Sequence, residues 1–200
     1  MRTGKKYKIA KRLGPSVFDK TQGKKFSLSS EKKGPKKRMS ASDFGNKLIQ
    51  KQRARVTYGV NERQFKNMVE RVIAARPANM GEALIAALES RLDNAIYRAG
   101  FAPTRRAARQ MVAHGHIDVN GRRVTVPSYM VEAGEIITIR ERSKKSAMFA
   151  TFADRVKELR VPAWIALDAE KREAKVTGAP KLAANEVAFD TAEIFQFYTR

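Results

Sequence analysis

Residues 88–126 run two glycine-ended helix patterns straight into an Asn-Gly hairpin, and that succession constrains the fold more than any other part of the chain. The first pattern, Leu88-Glu-Ser-Arg-Leu-Asp-Asn-Ala-Ile-Tyr-Arg-Ala, buries Leu88, Leu92 and Ala95/Ile96 along one face and stops at Gly100. The second opens at Thr104, continues Arg-Arg-Ala-Ala-Arg-Gln-Met-Val-Ala-His and stops at Gly115. Glycine just past a helix supplies a left-handed residue without steric cost, and a threonine just ahead of one accepts from its orphan N–H groups. In the second helix Ala107, Ala108, Met111 and Val112 form the apolar face, with Arg105, Arg106, Arg109 and Gln110 mostly off it. Ile117-Asp-Val then alternates, turns through Asn120-Gly121, the strongest short hairpin signal, and returns as Arg122-Arg-Val-Thr-Val. A basic helix stripe beside an Arg-Arg hairpin is a surface suited to phosphates.

The charge balance agrees. The chain's 200 residues hold 41 Lys+Arg against 20 Asp+Glu, a net charge of +21, with a pI near 10.5. That excess goes beyond what solubility needs and implies a polyanionic partner. Its distribution is uneven: residues 1–40 hold 14 basic and 2 acidic residues, net +12, leaving 27 and 18, net +9, for residues 41–200. With no cysteine there is no disulfide framework, thiolate zinc site or cysteine nucleophile, and two histidines, His114 and His116, are too few for a metal site. No apolar run approaches the roughly 18 residues of a membrane-spanning helix, and the N-terminus lacks the apolar core of a secretory signal. A cytoplasmic location, with no membrane partner, is the expectation.

Three regions differ in texture. Residues 1–40 read as a basic N-terminal extension, broken by Gly4, Gly14-Pro15, Gly23 and Gly34-Pro35, with apolar islands (Tyr7, Ile9, Leu13, Val17-Phe18, Phe26) too sparse for a core. Such an arm is expected to order on nucleic acid, its ordering entropy offset by phosphate contacts. Residues 41–85 read as a helical domain, which the apolar C-terminal segment 186–200 is expected to complete. Ser42 or Ser40 caps its first helix, which ends near Tyr58-Gly59 and carries Lys47, Lys51 and Arg55 at four-residue spacing. Lys51-Gln-Arg-Ala-Arg shows no acidic partner nearby, which favours RNA contact. Asn61-Glu-Arg-Gln64 resembles a capping box for a helix whose Phe65, Met68, Val69, Val72 and Ile73 face a core, ending at Arg76-Pro77. Residues 86–185 hold the hairpin, a strand at 136–140, a basic link at 143–146, a helix capped by Ser146, and a short strand 164–168 with the only tryptophan. Residues 169–185, Lys- and Ala-rich, read as loop or strand.

Catalytic chemistry is hard to find in this pattern. Arg91-Leu92-Asp93 superficially matches the triplet bearing the catalytic aspartate of pseudouridine synthases, but here it falls in the middle of the first helix pattern, where Asp93 is expected to cap or pair locally. No glycine-rich phosphate loop and no Ser/His/Asp arrangement presents itself. RNA is favoured over DNA because two helices with an appended hairpin make a shaped platform, and A-form RNA is read by shape and backbone. A helix-turn-helix reading of residues 88–114 is the DNA alternative.

Residues 88–98, Gly100-Phe-Ala-Pro-Thr-Arg and Ala108-Arg-Gln…His-Gly-His-Ile-Asp-Val-Asn-Gly-Arg resemble the small RNA-binding module named after ribosomal protein S4, a module shared by RNA-modifying and tRNA-charging enzymes. The resemblance extends to the ribosomal S4 family itself through Ser42-Asp-Phe-Gly…Lys51-Gln…Arg55…Tyr58-Gly-Val…Glu62…Gln64-Phe65, Val126-Pro-Ser-Tyr…Gly134…Ile136…Ile139-Arg and Pro162-Ala-Trp…Asp168. It implies a structural, non-enzymatic protein that binds a multi-helix junction in the 5′ domain of small-subunit ribosomal RNA early in assembly. It also implies a position near the mRNA entry channel beside ribosomal proteins S5 and S3, with a bearing on decoding accuracy. The RNA-binding residues it implies are Lys36, Lys37 and Arg38 ahead of the helical domain. Within that domain they are Lys51, Arg53, Arg55 and Tyr58, to which the four-residue basic stripe adds Lys47. In the module they are Arg91, Arg98, Thr104, Arg105, Arg109, Gln110, His114, Asn120, Gly121 and Arg122. No cofactor, metal or small-molecule substrate is implied. This chain departs from many family members in lacking a cysteine cluster near the N-terminus, and Lys32-Lys-Gly-Pro stands where the family usually has Gly-Gln-His-Gly.

The expectation is therefore an α+β protein: a helical domain and an α/β RNA-binding domain with a small antiparallel sheet, preceded by the basic extension. An enzyme fragment using the same module would need a catalytic domain for which the chain has no room. A free RNA chaperone or ribosome-rescue factor would not need the helical domain, and a DNA-binding regulator trails both.

Overall fold

Several helix starts in this chain are set by side chains that accept from orphan backbone N–H groups. The computed structural model describes residues 5–24, 26, 42–182 and 187–199. These fall into two compact units, one from residues 1–84 with 183–200 and one from residues 85–182.

In the helical unit Ser42 accepts from Gly45 N and opens helix α2 (Asp43–Thr57), while Asn61 accepts from Gln64 N at 2.8 Å and opens α3 (Glu62–Ala75). Phe65 and Val69 are wholly buried and Val72 nearly so, as the spacing predicts, and Arg76 turns out of the helix at φ 45° before Pro77. The C-terminal segment is helix α9 (Thr191–Tyr198), capped by Asp190 and packed on α2 and α3, with Ile194 and Phe195 inside. Ahead of these, the residues read as coreless are not so. Lys6–Leu13 forms helix α1, two 3₁₀ turns follow at Pro15–Val17 and Asp19–Thr21, and Leu13 and Val17 close a small cluster with Val56. The apolar islands are sparse in sequence, but Ile9, Leu13, Val17 and Phe18 gather on Ile49 and Val56 of α2, and Tyr7 stacks on Phe26. Lys36, Lys37, Arg38 and the alternative cap Ser40 lie outside the described residues.

The second unit is built on a five-stranded antiparallel sheet of order β2-β1-β3-β5-β4: β1 Ile117–Val119, β2 Arg122–Arg123, β3 Ile136–Ile139, β4 Ile165–Asp168 and β5 Glu173–Val176. Ile117 faces Ile139 and Val119 faces Ile137 across the β1–β3 ladder. Their inward side chains meet Leu92, Ile96, Phe101, Ala108, Val112, Phe149, Phe152 and Trp164 in one core. β5 falls in the Lys- and Ala-rich stretch, where Glu-Ala-Lys-Val alternates with Ala174 and Val176 buried. The basic link at 143–146 is instead entered by a short helix, α7 (Glu141–Lys144), and the helix expected from Ser146 is a 3₁₀ turn (Ala147–Phe149) followed by α8 (Phe152–Glu158). The returning strand of the hairpin is shorter than its alternation suggests.

The first helix pattern is also corrected. Residues 88–99 are not one helix: α4 (Met80–Glu89) ends, Arg91 is extended (φ −66°, ψ 136°), and α5 (Leu92–Arg98) begins. The break is stabilised from outside. Leu92 N and Asp93 N, orphan donors of the new helix, bond to the carbonyls of Tyr129 at 2.8 Å and Pro127 at 3.2 Å, and Val131 N returns to the Ser90 carbonyl at 2.8 Å. Arg91 and Asp93 therefore stand at a helix start, not in its middle. Helix α6 (Arg105–Ala113) packs on α5, capped as expected by Thr104.

Candidate nucleic-acid interface

Helix α6 carries its cations in two stripes with different fates. Arg105 and Arg109, four residues apart, lean back onto α5. Arg109 grips Asp93 side-on, with Nε and Nη2 donating to Oδ2 at 2.8 and 2.6 Å. Arg91 holds both oxygens of the same carboxylate, at 3.1 Å to Oδ1 and 3.0 Å to the shared Oδ2. Glu89, wholly buried, accepts from Arg98 Nε at 2.8 Å, Arg98 Nη2 at 3.1 Å and Asn94 Nδ2 at 2.7 Å. Arg105 Nη2 lies 3.9 Å from Glu89, its Nε donates to Asn94 Oδ1 at 2.7 Å, and its guanidinium lies over the Tyr97 ring, 4.5 Å from the centroid. Arg98, Arg105 and Arg109 keep 19, 22 and 27% of their side chains exposed against 4% for Arg91, so those three reach the surface and Arg91 does not.

The second stripe is open. Arg106, Gln110 and His114, again four apart, are all exposed. Arg106 sits in a first turn that contains no acidic residue, where the helix dipole disfavours a cation. That placement costs helix stability, and an anion drawn to Arg106 would offset it. The stripe continues into the hairpin, where Arg123 donates from Nη2 to the His114 carbonyl at 3.3 Å and Arg122 is exposed beside it. Gly115 makes the approach possible: its φ is +74°, and a Cβ there would stand 2.1 Å from Arg123 Nε. The rings of His114 and His116 are 6.0 Å apart, and His116 Nδ1 lies 2.9 Å from Ser143 Oγ. Burial, then the neighbouring His114 and Arg123 charges, hold the His116 imidazole below its usual pKa.

Other candidates build shape. Thr104 Oγ1 accepts from Ala107 N at 3.1 Å. Asn120 (φ 49°) and Gly121 (φ 74°) make the left-handed turn, and Asn120 Oδ1 accepts from Ile136 N at 2.9 Å, tying the turn to β3. The candidates of the helical unit are largely engaged there as well. Lys47 pairs with Asp43 at 2.7 Å, Arg53 donates to the Leu13 carbonyl at 2.6 Å, and Tyr58 is buried edge-on to Phe189. The acidic partner not seen in sequence is Glu62, 2.8 Å from Lys51 and 2.6 Å from Arg55. Lys51 is also covered by the rings of Phe197 and Tyr198, 4.1 and 5.7 Å from their centroids, and Tyr198 donates to Glu62 at 3.0 Å. Burial raises the Glu62 pKa, but the bonds from Lys51 and Tyr198 and the Arg55 charge outweigh it, and the net shift is downward. Burial and the bond to Glu62 push the Tyr198 phenol above its usual range.

The residues implied by the family resemblance leave out Arg106 and Arg123, although the basic stripe and the Arg-Arg hairpin read from the sequence include both. Both were findable, since Arg106 begins the Arg106–Gln110–His114 face and Arg123 doubles Arg122. Glu89 and Asp93 were not recognised as organisers, because the helix break at Ser90 hides their shared face from helical periodicity. Among the described residues no three His, Asp or Glu side chains come together to hold a metal ion, and no helix is long and apolar enough to cross a membrane.

Comparison with known proteins converges on one family. Residues 1–89 match the ribosomal protein S4/S9 N-terminal domain and residues 90–137 the S4 domain, the division falling at the break between α4 and α5. The chain is 41% identical over 201 residues to the small ribosomal subunit protein uS4 of Geobacillus sp. (strain WCH70), covering 99% of this chain and 98% of that one. Against its namesakes from Ligilactobacillus salivarius (strain UCC118) and Roseiflexus sp. (strain RS-1) identity is 40% over 201 residues and 39% over 199, covering 99 and 96% of this chain and 98 and 96% of theirs. At that identity over nearly the whole length, with a sheet-and-helix unit bearing an open cationic stripe, this chain belongs to the uS4 family of small ribosomal subunit proteins.

Proposed function

We propose that the protein is a structural constituent of the small ribosomal subunit and a primary ribosomal-RNA-binding protein. It takes hold of a multi-helix junction in the 5′ domain early and so nucleates assembly there. In the finished subunit it lies near the mRNA entry channel beside ribosomal proteins S5 and S3, in contact with mRNA, and contributes to translational accuracy in the cytoplasm. It acts by binding, not by catalysis: Asp93, the one carboxylate with a superficial catalytic signature, is occupied by Arg91 and Arg109.

The observation that carries this reading is the open stripe from Arg106 through Gln110 and His114 to Arg122 and Arg123, laid beside three arginines held at fixed positions. Phosphates neutralised by such cations release counterions, which supplies much of the affinity and makes it salt-dependent. Lys36, Lys37 and Arg38 are proposed to contact RNA ahead of the helical domain, and Lys47, Arg53 and Arg55 through whatever surface their internal partners leave. Residues 1–40, 41–85 with 186–200, and 86–185 are the proposed functional division of the chain.

Sedimentation of cell extract at low and high salt tests the reading. Stoichiometric co-migration with the small subunit, surviving salt that strips loose factors, is the expected result. Finding the protein mainly free, or substoichiometric on large-subunit particles, would sink it and favour a chaperone or rescue factor.

A further inference from the structure

Burying Glu89 and Asp93 among arginines is not the cheapest way to join α5 to α6. Desolvating ion pairs costs about as much as their attraction returns, and apolar side chains of similar volume often hold a fold as well or better. Two carboxylates beside a phosphate-binding surface also repel the ligand. Both costs make sense if the carboxylates do something for recognition.

Resting on the RNA-binding reading above, we propose that Glu89 and Asp93 are positioning residues that set RNA specificity. Their buried carboxylates fix Arg98 and Arg109 directly and Arg105 through Asn94, which Glu89 holds, in one rigid array that accepts only phosphates presented at a matching spacing. The geometry supplies what positioning needs. Arg98 docks its Nε–Nη2 edge with one bond to each Glu89 oxygen, which fixes the guanidinium plane, and Arg109 sets the same edge on Asp93 Oδ2 through two bonds. Arg105 is fixed a third way, between Asn94 Oδ1 and the Tyr97 ring. The anchors are themselves buried: Glu89 is 0%, Asp93 3% and Asn94 2% exposed. Free arginines would grip any phosphate chain by adapting to it. An array with its rotamers already chosen loses less entropy on the matching RNA and cannot follow a mismatched one.

Charge and position then make opposite predictions. Asp93→Asn and Glu89→Gln keep the shape, remove one negative charge each, and loosen the array. Binding to a plain RNA duplex should tighten, because the surface becomes more positive, while binding to a transcript of the small-subunit 5′ domain should weaken. The preference for the transcript over the duplex should fall about tenfold, the worth of roughly one charge-assisted hydrogen bond. Arg109→Lys keeps the charge and loses the Nε–Nη2 edge held on Asp93. It should lower transcript binding more than duplex binding and so reduce the same preference, and as a partly exposed site it serves should Asp93→Asn fail to fold.

The experiment measures both affinities for the full chain and the three variants at two salt concentrations, with circular dichroism to register the folded fraction. A purely structural role would lower both affinities together in proportion to that fraction. Folded variants with an undiminished preference would overturn the proposal while leaving the RNA-binding reading intact. A wild-type chain with no preference for the transcript would overturn both.

Discussion

Glu62 in the helical unit and the Glu89–Asp93 pair in the sheet-bearing unit gather cations in different ways. Glu62, 42% exposed by side chain, collects Lys51, Arg55 and the Tyr198 hydroxyl, and Lys51 disappears beneath the Phe197 and Tyr198 rings. The cation there acts as a rivet between α2 and α9, its charge met by a carboxylate and two aromatic faces. Glu89 and Asp93 are themselves the hidden partners, and the arginines around them, Arg91 apart, come out to the surface. Lysine, a compact charge on a flexible stem, suits the first task; the planar fork of arginine, which can be fixed at one edge, suits the second. A basic residue is therefore not an RNA contact by virtue of its charge. What it is tied to, and whether the tie buries it, decides.

Breaking the carboxylate that is most enclosed should have the largest effect. Asp93→Ala leaves buried Arg91 without its counter-charge and should lower the unfolding free energy by about 3–5 kcal/mol in urea titrations; a loss under about 1 kcal/mol would erase the contrast between the two clusters. Glu62→Ala should cost less, about 2 kcal/mol at neutral pH, because the site is partly solvated and Lys51 keeps its aromatic cover. Since the folded pKa of Glu62 is depressed, its contribution is present above the usual carboxylate pKa and lost as pH falls through the lower folded value. The deficit of Glu62→Ala should accordingly shrink in acid, a trend that titrations at pH 7 and pH 3 would show or exclude.

Gly115→Ala should cost about 1 kcal/mol, chiefly the penalty for a side chain at φ +74°, because the Arg123 guanidinium can swing away. The sharper sign is in binding, where a displaced Arg123 weakens RNA affinity beyond any loss of folded protein. The smallest effect belongs to His116. A folded pKa held below the unfolded value means stability is complete above the unfolded pKa, near 6.5, and declines as pH falls through the folded one. A shallow loss between pH 7 and pH 5.5, absent in His116→Gln, is expected; an equal slope in both chains would assign it elsewhere.

Much of this architecture is written locally. Ser42, Asn61 and Thr104 announce their helices because a side-chain acceptor ahead of an apolar run has one obvious use, and Asn120-Gly121 fixes its turn because few residue pairs tolerate two positive φ angles. What was hidden depends on distant chain. The α4–α5 break is stabilised by carbonyls of Pro127 and Tyr129, and α1 holds through Val56 and the bond from Arg53 to Leu13. At the candidate interface, charge and helical phase located the face of α6. They could not separate the tied stripe of Arg105 and Arg109 from the open stripe of Arg106, Gln110 and His114, since that distinction rests on two acids contributed by the preceding helices.

The claim that the open stripe meets phosphate is tested most directly by the salt dependence of full-length protein binding to a 5′-domain transcript, with Arg106→Gln and Arg122→Gln combined. Each lost phosphate contact flattens the log–log slope by about one unit. A slope shallower by about two is expected, with the thermal midpoint level or slightly raised because a cation leaves a helix N-terminus. An unaltered slope in a fully folded double variant would contradict it and move the RNA contact to another face of the molecule.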